Sequence, residues 1–215
     1  MAGFASVRRG VTAAVALVAL LGLVAELLHH RDPPGVSEEV VELVSLSYEG
    51  NLPTWLSSSL LLACAVALVA IARAPGAQGA YRRHWALLGV LFGYLSIDES
   101  VELHERLNLL VDLDGPLYFG WIVPAAAVVA ALGLVYLRFL LALPARLRRR
   151  FVVAGAIYVG GALLMEVPLG LWVEAHGDGG LGYALIDFAE ELLEMIGASL
   201  FLFALLDHHA EVRAS

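Results

Sequence analysis

The chain has 215 residues; 60% are hydrophobic, 16% are charged, the mean hydropathy is +0.80 and the formal net charge is -8. That balance belongs to membrane proteins and excludes an ordinary water-soluble enzyme. A membrane-crossing helix uses about 20 residues, so the length holds roughly six crossings with short loops and no separate catalytic domain.

The first apolar stretch covers residues 11–28 and follows Arg8 and Arg9. A basic start before an apolar run also marks secretory signals, but the best cleavage position, after Ala25, has Leu23 where a small residue belongs. An uncleaved first helix is therefore expected. Residues 32–52 form a polar loop in which Ser37 precedes Glu38 and Glu39, an N-cap pattern with acids in the first turn, so a short interfacial helix is expected there. Further apolar stretches cover residues 55–71, 85–103, 117–143, 151–172 and 181–206. Residues 60–70 are apolar on every face, which the alternating strands of a membrane barrel do not allow. The expected fold class is all-α: one transmembrane domain, a polytopic bundle of six helices. Cys64 is the single cysteine and lies inside an apolar run, so neither a disulfide framework nor a cysteine zinc site can form within the chain.

Arginine placement orients the bundle. All 13 basic residues other than histidine are arginine, and with six crossings Arg8, Arg9, Arg73, Arg82, Arg83, Arg138, Arg146, Arg148, Arg149, Arg150 and Arg213 share one side. That side is expected to be cytoplasmic, with both termini there and the protein in the cell membrane. The opposite side has only Arg31 and Arg106, while the loop over residues 32–52 carries Asp32, Glu38, Glu39, Glu42 and Glu49. Trp55, Trp85, Trp121 and Trp172 stand near span ends, as amphipathic rings at an interface do.

Acids inside the spans carry the functional signal, because even lenient scales charge about 2.5–3.5 kcal/mol for an ionised group at the bilayer centre. In the third stretch Asp98, Glu102 and Glu105 recur at helical spacing; in the sixth, Asp187, Glu191 and Glu194 do the same, with Glu190 alongside. Glu99 stands about 100° off the first stripe and is expected to face another helix. The two segments share Ile-Asp-x-x-x-Glu-Leu-x-Glu, which is consistent with a 3+3 inverted repeat of the kind found in transporters. Glu166, two residues before Pro168, and Glu26, three before His29, fall in the same outer half. Facing lipid, the acids of the sixth helix alone would cost on the order of 10 kcal/mol, so they are expected to face the bundle interior. Too few positive groups lie nearby to neutralise them, and the deficit predicts bound cations or shared protons.

The favoured function is a cation transporter or channel, with cations or protons held by Glu26, His29, Asp98, Glu102, Glu105, Glu166, Asp187, Glu190, Glu191 and Glu194. The alternative is a metal-dependent membrane enzyme acting on a lipid or quinone-like substrate. In that case a divalent metal such as iron, manganese or zinc would use the Glu-x-x-His pair Glu26 and His29 with the other carboxylates. A third reading is an assembly module whose acids pair with basic residues of another membrane protein. The expected partners are membrane lipid, a cation or proton, and a second copy or another membrane protein; nothing points to nucleic acid.

Overall fold

The computed structural model describes residues 2–31, 37–74, 81–104 and 118–214, and every element among them is helical. In chain order these are α1 (Ala2–His29), α2 (Glu38–Val44), α3 (Leu52–Arg73), α4 (Arg82–Val101), α5 (Ile122–Ala142) and α6 (Ala145–Val159). A π-helical segment, Gly160–Met165, then leads into α7 (Glu166–His176), and α8 (Gly180–Ala214) closes the order. Four stretches are long and apolar enough to cross a membrane: Phe4–His29, Leu52–Arg73, Ile122–Ala142 and the rod Ala145–His176. Neither α4 nor α8 is among the four, although α8 carries two of the four buried acids among the described residues, Glu190 and Glu194.

Local chemistry accounts for several boundaries. Asn51 caps α3 by accepting from the Thr54 N–H at 3.1 Å, with Pro53 in the first turn where a missing N–H costs nothing. The expected short helix is α2, with Ser37 at its cap position, although the Ser37 hydroxyl makes no capping bond. The rod Ala145–His176 changes pitch over Gly160–Met165. Pro168 cannot donate to the Leu164 carbonyl one turn earlier, and π-type windings are one way a helix absorbs such a loss.

The hub is α8, which packs against α1, α3, α6, the π segment and α7. Backbones come close where side chains vanish. A Cβ on Gly197 would lie 2.6 Å from the Tyr158 backbone nitrogen, and one on Gly161 would lie 2.9 Å from the Glu190 carbonyl oxygen. Small residues at such crossings matter more in lipid than in water, because packing rather than the hydrophobic effect holds membrane helices together.

Contacts also sort the helix ends. Arg8 of α1 and Arg150 of α6 both bind Asp207 near the end of α8, the latter at 2.7 Å. Arg82 of α4 donates to the Ala72 carbonyl of α3 at 3.1 Å. Tyr136 of α5 donates to the His84 carbonyl at 3.1 Å. The arginine-bearing ends thus share one pole of the bundle. Trp85 is at that pole but not on its surface: it is 5% exposed, enclosed by Phe139, Phe151 and His208 at ring separations of 4.9, 6.0 and 5.2 Å.

Burial opposes the charge on Asp207, yet hydrogen bonds and charges from Arg150 and Arg8 hold its carboxyl below the usual range. A lowered native pKa adds stability above the ordinary carboxyl value near 3.9, and that contribution is lost as pH falls through the native value. Asp207→Asn should therefore cost at most about 1 kcal/mol at pH 7, with the gap to wild type closing below about pH 4 in detergent melts. Gly197→Ala should cost about 1–3 kcal/mol by overpacking. Gly155→Ala, where a Cβ meets nothing within 4 Å, should leave the melt essentially unchanged.

Candidate functional site

Helical spacing places Asp187, Glu190, Glu191 and Glu194 on one side of α8, over a rise of about 10 Å. Glu190 and Glu194 are 7% and 8% exposed, and Glu191 is half-buried. Opposite them, the π segment delivers Glu166 at the start of α7, where its Oε1 accepts from Trp121 Nε1 at 2.9 Å. Glu166, Glu194, Asp187 and Glu49 all act electrostatically on Glu190. The strongest charge neighbour of both Glu191 and Glu194 is Glu99 of α4. Glu99 lies beside the buried Ser57 of α3, and Tyr158 of α6 reaches Glu194.

Serines fix the α4 wall against α3. Ser58 Oγ donates to the Ser96 carbonyl at 2.7 Å, Ser96 Oγ donates back to the Ser58 carbonyl at 2.9 Å, and Ser100 Oγ donates to Ser58 Oγ at 2.7 Å. This two-way lock sets which face of α4 meets the acids.

Positive charge is scarce in this cluster. Among the described residues, no ion pair involves Glu190, Glu191 or Glu194. Glu190 Oε2 is buried with no hydrogen-bond partner among them. Several mutually repelling carboxylates in a low-dielectric interior cost several kcal/mol unless protons or cations offset them. The cluster is therefore suited to taking up and releasing positive charge.

The other sequence-derived candidates fall elsewhere. Glu26 is buried on α1, accepts from Ser45 Oγ and lies 3.4 Å from His30 Nδ1, so its histidine neighbour is His30 rather than His29. His29 instead meets His30 edge to face at 5.4 Å. Asp98 bonds His104 Nδ1 at 3.0 Å and Tyr94 at 3.5 Å. The expected stripe on α4 breaks because the helix stops at Val101: Glu102 is left-handed, with φ 55, and the turn carries His104 back to Asp98. Glu105 lies outside the described residues. The matching segment of α8 stays helical through Glu194, so the two copies of the acidic pattern differ in local structure.

The decisive comparison spans nearly the whole chain. The chain belongs to the DUF8692 family. The family's model, described as a domain of unknown function, matches residues 10–209, a range that runs from within α1 to within α8. No curated protein and no solved structure matches the chain.

In this DUF8692 chain, no three His, Cys, Asp or Glu side chains among the described residues converge as a metal ion requires. Glu26 and His29 do not join the α8 cluster in a common donor set, so no step through a metal follows from this geometry. Sequence reasoning missed Ser45, Glu49, Tyr158 and Trp121, and set Glu99 aside. Tyr158 and Trp121 gave no signal beyond being polar-tipped aromatics. Glu99 was visible as an intramembrane acid, but its choice over Asp98 depends on the serine lock.

A neutral isostere keeps the shape and spares the fold the cost of charging or protonating a buried carboxyl. Glu190→Gln should therefore raise detergent stability at pH 8 by about 1 kcal/mol, or about 2–4 °C in melting temperature. Thermal melts at pH 8 check this, and a lower midpoint would show that an unseen cation or partner already compensates Glu190.

Proposed function

We propose that this protein is a six-crossing cell-membrane protein whose α8 carboxylates bind and release cations, protons among them, as part of a transporter or channel. Both termini lie in the cytoplasm on this reading, and α4 and α8 cross the bilayer shielded by their neighbours. Support comes chiefly from one observation: Glu190 and Glu194 are buried on α8, within the electrostatic reach of Glu166 and Glu99, with no ion pair among the described residues. Intramembrane acids in such a setting characteristically mark ion or proton pathways.

Geometry suggests how the path would run. The ladder starts at Asp187 toward the pole opposite the arginines and ends at Glu194, near the middle of the apolar stretch of α8. Beyond it the same helix buries Met195, Ala198, Leu202 and Leu205. Phe201 stacks on Phe92 at 4.8 Å and meets Phe151 at 4.6 Å. A cation would enter from the acidic pole, exchange along the carboxylates, and pass only when this apolar half loosens. A metal-dependent enzyme is less favoured, because Glu26 and His29 stand apart from the α8 acids.

Flux in proteoliposomes tests the reading. With a pH-sensitive dye or a cation-sensitive probe inside, wild type should dissipate an imposed gradient, and Glu190→Gln and Glu194→Gln should each slow it at least tenfold. Glu26→Gln, outside the ladder, should retain most of the rate. Flux equal to wild type in both ladder variants, or no flux in wild type under any proton, sodium or potassium gradient, would overturn it.

A further inference from the structure

The arginine pole holds a groove of about 680 Å³ between α1, α6 and α8 that the acidic ladder does not involve. The groove is lined by Arg8, Arg146, Arg149 and Arg150 and by the apolar Val153, Leu200 and Phe203. Asp207, bound by Arg8 and Arg150, offsets one of the four charges. Arg146 and Arg149 are exposed and make no ion pair among the described residues.

Three features favour an anion in the groove. Arg146 and Arg149 occupy the first turns of α6, where the positive end of the helix dipole disfavours cations and favours anions. The helix is capped by Pro144, which offers no side-chain acceptor, so its first N–H groups have no capping partner. Arg8 Nε is buried with no hydrogen-bond partner among the described residues, although the same guanidinium binds Asp207 and the Phe203 carbonyl.

The wall says what kind of anion fits. Val153 is one turn beyond Arg149, about 6 Å along α6, and Leu200 is three residues before Phe203 on α8. Both are exposed, at 45% and 37%, on the membrane side of the arginines. A soluble phosphate would leave this apolar wall bare, whereas a phosphodiester carrying acyl chains matches both parts.

We propose that this groove binds an anionic phospholipid, with its phosphate at Arg146 and Arg149 and an acyl chain along Val153 and Leu200. Basic pockets between membrane helices on the cytoplasmic side take such headgroups. The site rests on the membrane reading of the chain but not on the ladder: flux can fail while lipid binding holds, and the reverse.

The test is native mass spectrometry of the full chain in non-ionic detergent, titrated with dioleoyl phosphatidylglycerol, dioleoyl phosphatidylcholine or inorganic phosphate. Wild type should hold one phosphatidylglycerol in clear preference to phosphatidylcholine, and millimolar phosphate should not displace it. Arg146→Gln/Arg149→Gln should weaken phosphatidylglycerol binding roughly 30-fold while leaving the melting temperature near wild type. Arg149→Glu, a single change at an exposed position, carries the test if the double variant does not fold. Equal binding of the two lipids, unchanged binding in the arginine variants, or displacement by phosphate would each overturn the proposal.

Discussion

Carboxylates on a central helix have to be kept from apolar surroundings unless they are offset, and the packing around α8 frames that requirement. Five elements enclose it: α1, α3, α6, the π segment and α7. The acids occupy its first half; beyond them Met195, Ala198, Leu202 and Leu205 form an apolar, buried face. The two halves depend on each other. Charge left unneutralised along the ladder would push neighbouring helices apart, and the aromatic and aliphatic packing at the other pole opposes that. Asp207 reinforces that pole by joining α1, α6 and α8 through two arginines.

The π segment is where that enclosure becomes specific. It lets the rod Ala145–His176 continue as one helical stretch while bringing Glu166 within electrostatic reach of Glu190. It also places Gly161 against α8, so close that a Cβ would lie 3.1 Å from Glu194 Cγ. A regular α-helix through the same residues would rotate Glu166 relative to Tyr158, because each extra residue in a turn shifts the following face by about 100°. The irregular winding thus sets the relation between the acid that accepts from Trp121 and the phenol beside Glu194. Irregular backbone at membrane depth is tolerated where protein surrounds it, and Gly161 is buried.

What could be read from the sequence depended on whether a residue's role was set locally. Helical character and the arginine partition were legible, since runs of apolar residues and loop charge act through the solvent around them rather than through particular partners. Glu190, Glu191 and Glu194 were legible as a group because α8 is unbroken and periodicity holds along it. On α4 the same argument fails at Glu102, whose left-handed conformation is sustained by the turn returning His104 to Asp98. Trp85 is a similar case. An amphipathic ring near a helix start suits an interface or a core equally well, and only the arrival of Phe139, Phe151 and His208 decides for the core. Nothing local distinguishes Ser45 from other loop serines; its bond to Glu26 depends on how α2 folds back along α1.

Charge at the two poles makes the ends of the molecule chemically unlike. One pole ends in guanidinium groups and a helix N-terminus that both favour anions; the other gathers the carboxylates of Glu49, Asp187 and Glu166 around Glu190. On the proposed function, a cation approaching from the acidic side would be drawn inward step by step, because each carboxylate lies among others it could partly neutralise. That attraction would stop at Glu194, where the face of α8 turns apolar. On the proposed function, that boundary is where coupling would have to occur: binding at Glu194 lowers the repulsion that strains the acid half. On the same reading, helix motion at that boundary would pass to the apolar half through the close backbone approaches at Gly161 and Gly197.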